Sequence, residues 1–199
     1  MQHPDAYPQL TIDLTPQTLT GFASLFQHGI LFPVEQPVPL VPFLLALPGF
    51  TEDYIENTVQ TIFVDGIAAD SLDRDLTAGS TLALSAAMPG LAGAIFRRQG
   101  IHGSLRSRPQ AQKKSGGAAA GILTLKLFNS IATDRIQDLL TAGVLVGGKA
   151  FHAFAGMRES LFQPPMLVQY DGQLVKYSAL LPLVAELPIL KVKAVLASE

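Results

Sequence analysis

Two Asp-Gly dipeptides, Asp65-Gly66 and Asp171-Gly172, constrain this chain more than any other feature. Each follows a run of alternating or β-branched apolar residues, Val59-Gln60-Thr61-Ile62-Phe63-Val64 in one case and Met166-Leu167-Val168-Gln169-Tyr170 in the other. Asp-Gly suits a two-residue turn in which both central residues take positive φ, the turn whose twist matches paired strands. Each half of the chain is therefore expected to contain a β-hairpin. Further strands are expected at 10–14, 30–34, 81–84, 121–128 and 190–195 from their period-two alternation or short apolar runs. The strand at 190–195 alternates Lys191 and Lys193 with apolar residues, as a half-solvated face requires.

Helices are expected between them. Thr15-Pro16 reads as an N-cap followed by proline at the first helical position, with Leu19, Phe22, Leu25 and Phe26 at helical spacing and Gly29 closing the segment. Short helices are expected at 43–47 and from a Thr51 cap through Glu56. Longer ones are expected from a Thr133 cap, burying Ile136, Leu139 and Leu140, and over 149–157. The class is α+β. The expected organisation is a unit over 8–98, a basic Gly- and Ser-containing linker over 99–118, and a second small α+β unit over 119–199 that can share the core of the first.

Val59 to Gly66, and the run Leu76-Thr77-Ala78-Gly79-Ser80-Thr81-Leu82-Ala83-Leu84, resemble a strand-and-turn and the "L-x-x-G-D-x-V" closing strand of the β-grasp sulfur carriers of thiamin and molybdopterin synthesis. The resemblance spans residues 8–93 and implies a β-grasp, ubiquitin-like unit. Ser80 stands where that motif has an acid. The carriers work through a terminal Gly-Gly carboxylate, whereas this chain continues past Pro89-Gly90-Leu91-Ala92-Gly93. The carrier chemistry does not transfer; ligand or partner docking on the sheet does.

Composition narrows the chemistry. Of the 199 residues, 48% are hydrophobic and only 15% charged, with a mean hydropathy of +0.32. Soluble domains carry about 25% charged residues. The deficit points to a self-association or partner surface in addition to the core. Cysteine is absent, which removes disulfides, thiolate nucleophiles and Cys-ligated metals. The start, Met1-Gln2-His3-Pro4-Asp5, lacks the basic and apolar regions of a secretory signal, so the expected compartment is the cytoplasm. Leu76 to Phe96 is free of charge and long enough to span a bilayer, but its small residues and Pro89-Gly90 read as a strand followed by a new element. No membrane span is expected.

Charge is segregated. Residues 1–75 carry ten acids against Arg74 alone, and residues 76–133 carry seven bases and no acid. Arg97, Arg98, Arg106, Arg108, Lys113 and Lys114 form the strongest anion-binding candidate, since clustered cations among small residues can follow a phosphate backbone. No aromatic residue lies between Arg97 and Leu127 to stack a base, and the pI is about 6.1. Nucleic acid therefore ranks below a protein partner.

Gly143, Gly148 and Lys149 match the spacing of a phosphate-binding G-x-x-x-x-G-K loop. Ala150 stands where a magnesium-holding hydroxyl belongs, and the preceding segment is helical in pattern. The competing reading is a helix C-cap at Gly143 and a turn at Gly147-Gly148. Asp65, Asp70, Asp73 and Asp75 do not match a calcium loop. His3, His28, His102 and His152 never pair at helical spacing, with His152 expected to pack in its helix, and no serine sits in a nucleophile elbow. Met88 to Gly93 offers amides at a helix start, near Arg97 and Arg98 in sequence, but reads first as a buried turn. No metal or cofactor is expected. The leading expectation is a non-enzymatic binding or assembly module acting through a homo-oligomer or protein partner. Polyanion binding through 97–114 follows, then an enzyme with a dispersed site.

Overall fold

The computed structural model describes residues 7–88, 90–98, 100, 120–163 and 166–196. The chain opens with strand β1 (Gln9–Leu14), whose even-numbered side chains are buried. Thr15 caps helix α1 (Pro16–Leu19), accepting from the Thr18 amide in a capping box with proline at the first turn. A 3-10 turn (Thr20–Ser24) leads to α2 (Leu25–His28), which Gly29 ends at φ 120°. Strand β2 (Ile30–Val34), the short β3 (Val38–Pro39) and α3 (Leu40–Leu45) follow. Pro42 is tolerated in α3 because first-turn amides have no intrahelical partner.

Thr51 caps α4 (Glu52–Asn57), accepting from the Tyr54 amide at 3.1 Å. Next come β4 (Thr61–Val64), β5 (Ile67–Ala68), β6 (Asp75–Leu76), β7 (Thr81–Ser85), α5 (Gly90–Phe96) and β8 (Gly121–Phe128). The remaining elements are α6 (Asn129–Ala142), β9 (Val144–Val146), α7 (Gly148–Gly156), β10 (Val168–Tyr170), β11 (Gln173–Leu174), α8 (Tyr177–Ala185) and β12 (Leu190–Leu196). The class is mixed α and β.

Both Asp-Gly turns form as their chemistry requires. Asp65 and Gly66 have φ of 53° and 78°, and Asp171 and Gly172 have 45° and 79°. The first joins β4 to β5 and the second joins β10 to β11, both antiparallel.

Contacts divide the chain differently from the expected split into 8–98 and 119–199. One unit comprises residues 1–31 with 133–199, and the other comprises 32–132. The reason is strand pairing. β1 lies between β10, antiparallel, and β12, parallel, so the start of the chain belongs with its end.

In the first unit the strand order is β11-β10-β1-β12-β9. β12 is an interior strand there, paired on both sides, so its lysines alternate on a sheet face and do not guard an edge. The core joins Leu10, Ile12, Leu14, Val144, Val146, Val192 and Ala194 from the strands to Phe22, Phe26, Phe151 and Phe154 from the helices. Phe22 meets Phe154 at 5.2 Å and Phe162 at 5.7 Å between ring centroids, in the tilted and edge-on geometries that aromatic quadrupoles favour.

In the second unit the order is β8-β7-β4-β5, with β7 and β8 parallel, and β3 and β6 make a separate two-stranded ribbon. Its core is Ile62, Val64, Leu82, Leu84, Leu123, Leu125 and Leu127, with Leu40, Leu44 and Ile55 from the helices. The uncharged stretch from Leu76 to Phe96 is spread over a bridge, a turn at Gly79, a strand and a short helix. No helix among the described residues is long and apolar enough to cross a membrane.

Three elements depart from sequence expectation. α6 begins at Asn129, four positions before Thr133. Asn129 takes φ 53° and its side-chain Nδ2 donates to the buried Ser85 hydroxyl at 2.8 Å, which turns the chain out of β8 and starts the helix early. Val144 to Val146 is a strand inside a segment expected to be a cap and a turn. α8 carries no clear period because nearly every residue is apolar and Pro182 interrupts it. Leu180 and Val184 are nonetheless buried at i,i+4 spacing, and Pro182 is exposed, where water can replace the missing amide bond.

Candidate functional site

The basic segment begins where α5 ends. The Phe63 and Phe96 rings meet at 5.4 Å, holding the end of α5 against β4. The Arg98 amide then donates to the Gln60 carbonyl at 2.7 Å, and the Gln60 amide donates to Ser85 at 3.1 Å. Arg98 is thus pinned to Gln60, the residue just before β4. Its guanidinium reaches the C-terminus of α4, where Nη2 donates to the carbonyls of Ile55 at 3.1 Å and Glu56 at 3.3 Å. These carbonyls carry the negative end of the helix dipole, so the cation is well placed.

Two polar atoms beside this anchor are left over. Arg98 Nε and Gln60 Oε1 are shut from solvent and have no hydrogen-bond partner. An unmet buried donor or acceptor costs about 1–3 kcal/mol, which makes the pair conspicuous. Both residues line a cleft of about 220 Å³ together with Glu56, Asn57, Val59 and Arg97. Val59 is fully buried and supplies an apolar wall. The Asn57 amide is already engaged, donating to Asp53 at 2.8 Å. Burial draws the Arg98 guanidinium below its usual pKa, and the neighbouring Glu56 carboxylate opposes that shift. Arginine nonetheless stays charged throughout the physiological range.

Chemically, the cleft offers two guanidinium groups, one carboxylate and a rotatable amide. It contains no nucleophile with a base beside it. Such a site can bind and orient a ligand oxygen.

Of the sequence candidates, the structure brings Arg97 and Arg98 into this cleft. Arg106, Arg108, Lys113 and Lys114 lie outside the described residues. Gly143 is separated from Gly148 and Lys149 by a strand: it follows α6, while the other two open α7. Gly143 closes α6 at φ 90°, its amide donating to Leu139 at 3.0 Å and Leu140 at 3.2 Å. The next three residues are β9, so they run as an extended strand and not as a loop that wraps phosphate. Gly148 opens α7 against α8, and a Cβ there would overlap the carbonyl oxygens of Val184 and Leu187. Those carbonyls cover the approach to the helix start. Lys149 is exposed.

Arg97 and Arg98 follow the C-terminus of α5, whereas Met88 and Gly90 stand at its start, so the helix separates the two candidate anion sites that lie close in sequence. Asp65 is occupied by β7, its carboxylate accepting from the Thr81 amide at 2.7 Å. His152 is exposed while its neighbours Phe151 and Phe154 are buried, so it does not pack inside the helix as its sequence context had suggested. Among the described residues, no group of three or more His, Cys, Asp or Glu side chains could hold a metal ion.

Gln60 and Glu56 carry no sequence signal linking them to Arg98. The backbone bond between Gln60 and Arg98 and the guanidinium bonds to the end of α4 bring them together. No protein-family model, curated protein or solved structure matches this chain.

Proposed function

We propose that this chain is a non-enzymatic binding protein whose ligand presents an oxyanion, phosphate or carboxylate, to Arg97 and Arg98. The observation that carries this reading is the unpaired Arg98 Nε, buried beside a guanidinium arm already anchored on Ile55 and Glu56. Anchoring removes the rotamer entropy that a free arginine loses on binding, and a ligand oxygen at Nε would recover the cost of the unmet donor. Half a turn of the Gln60 amide about its last bond would present a second donor to the same oxyanion. Glu56 tempers the positive charge and disfavours ligands that place a second anion against α4.

The basic residues from Arg106 to Lys114 would extend the same chemistry along a polyanion. A small-anion site and a polyanion track differ in salt dependence. Affinity for a nucleic acid falls steeply with salt as counterions are released, while a single phosphate responds weakly. The likeness of residues 8–93 to the β-grasp carriers is not what supports this reading, which rests on the cleft around Arg98.

Isothermal titration of the full chain with inorganic phosphate, acetate and a short oligonucleotide at low salt tests the proposal. Saturable binding that weakens in Arg97→Gln and Arg98→Lys is the expected result. Absence of binding by all three ligands at tens of millimolar phosphate or acetate would overturn it.

A further inference from the structure

The two polar atoms left unmet in the Arg98 cleft are of opposite kind. Arg98 Nε is a donor and Gln60 Oε1 an acceptor, and both are shut from solvent. Their residues share a backbone hydrogen bond of 2.7 Å and line one cleft of about 220 Å³. A ligand that only accepts meets Nε and leaves Oε1 as it was. A ligand that both accepts and donates meets the two together. Arg98 Nη2 already donates to the carbonyls of Ile55 and Glu56. The side-on fork of Nε and Nη2, on which a carboxylate seats both its oxygens, is therefore closed, and Nε offers its single hydrogen to one ligand oxygen. Glu56 is exposed and lines the same cleft, where its carboxylate is a second acceptor and repels an anion that has no proton to offer.

We propose, resting on the oxyanion reading of this cleft, that its ligand is an oxyanion carrying its own proton: hydrogen phosphate, in preference to sulfate, a carboxylate or a phosphodiester. One phosphate oxygen accepts from Arg98 Nε, and the P–OH group of the same ion donates to Gln60 Oε1. Arg97 lines the same cleft and adds positive charge against the dianion. Sulfate has the same tetrahedral shape and the same double charge but no hydrogen at neutral pH. It answers the guanidinium and leaves the buried acceptor unmet. Carboxylates and the phosphodiesters of a nucleic-acid backbone are proton-free in the same way, so a small phosphate ion is favoured here over a polyanion. With the Gln60 amide turned by half, a donor would face the ligand instead and the preference would vanish. The orientation of that amide and the choice of ligand go together.

Isothermal titration of the full chain with sodium phosphate and sodium sulfate at matched ionic strength reads the difference that one proton makes. The measurement belongs at about pH 8, where inorganic phosphate is mostly the singly protonated dianion. Phosphate should bind about tenfold more tightly than sulfate, the lower end of the effect of one unmet buried acceptor. Gln60→Leu should weaken phosphate to the level of sulfate and leave sulfate unchanged. Glu56→Gln, at an exposed position whose backbone carbonyl still holds Arg98, should tighten sulfate more than phosphate, and it stands in if Gln60→Leu fails to fold. Sulfate binding as tight as phosphate, with both weakened by Arg98→Lys, would overturn the selectivity and leave the oxyanion site standing with its amide turned. Binding of neither ion would remove the oxyanion site itself, and the selectivity with it.

Discussion

Asp171 and Gln9 lie 162 positions apart and exchange two hydrogen bonds. The Gln9 amide donates to Asp171 Oδ1 at 2.8 Å, and the Asp171 amide donates to the Gln9 carbonyl at 2.8 Å. The aspartate of the turn therefore does more than reverse β10 into β11. It fastens the hairpin to β1, a third strand from the other end of the chain. Asp65 acts similarly in the second unit, accepting from the Thr81 amide at 2.7 Å and so tying the β4–β5 hairpin to β7. In both places a residue chosen for left-handed backbone also supplies a charged acceptor to a neighbouring strand.

Asp171→Ala loses the acceptor and puts a side chain without local hydrogen bonding at φ 45°. Together these should lower stability by about 2 kcal/mol. Asp171→Asn keeps both properties and should stay within roughly 0.5 kcal/mol of the parent. Urea unfolding of the two variants separates them, and equal losses would show that the strand tie contributes nothing.

Gly148 is fixed by close approach. Gly148→Ala forces a methyl group into the carbonyls of Val184 and Leu187, so α7 and α8 must separate. The expected loss is about 1–3 kcal/mol, as for overpacking in a core. Gly156→Ala is the control, because nothing lies near its missing Cβ. Thermal melts that rank the two variants in the opposite order would refute the close-packing account.

Tyr177 stacks on Phe162 with ring centroids 5.4 Å apart and donates its hydroxyl to the Ala155 carbonyl at 2.9 Å. Loss of solvent, then the Glu159 charge, raises its pKa above the ordinary 10.0. Above about pH 10 the unfolded chain releases this proton before the folded one does. The unfolded state then binds fewer protons, so stability is intact below that pH and falls as pH rises toward the folded value. Tyr177→Phe should cost about 1 kcal/mol at neutral pH, because Ala155 still accepts from the Arg158 amide at 3.0 Å. It should also make the alkaline loss shallower. A melting-temperature profile from pH 8 to 11 that is parallel for the two proteins would exclude Tyr177 as a contributor.

Arg98→Lys keeps a charge but loses the fork that meets Ile55 and Glu56 while leaving Nε toward the cleft. Phosphate affinity should fall at least tenfold, corresponding to about 1.4 kcal/mol, and α4 should lose some stability as its C-terminal carbonyls lose donors. Gln60→Leu removes the unmet acceptor and should leave stability unchanged or slightly higher while weakening the ligand. Calorimetry and unfolding on the same samples tell the two effects apart. Tighter phosphate binding in Gln60→Leu would show that this amide opposes the ligand.

Local chemistry was legible in the sequence. The Thr15-Pro16 and Thr51 helix starts, both Asp-Gly turns and the alternating strands β1, β8 and β12 form as read, because each depends on atoms within a few positions. The Arg97-Arg98 pair was also visible, as the edge of an acid-free basic segment. The partners in the cleft were not. Gln60 reaches Arg98 through a backbone bond across 38 positions, and Glu56 arrives with the end of a helix, so no spacing rule connects them. The extra helix α8 escaped notice because a uniformly apolar run with a proline carries no period.

Sequence alone determined where this chain turns, caps its helices and alternates its strands, since those choices are made by φ preferences and hydrogen bonds between near neighbours. Only the tertiary structure decided that β1 sits between β10 and β12, that residues 1–31 belong with 133–199, and that Arg98 keeps an unmet donor beside Gln60. Pairing of distant strands depends on which faces bury together once the chain has closed long loops, and that energy is a property of the assembled sheet and of no single segment.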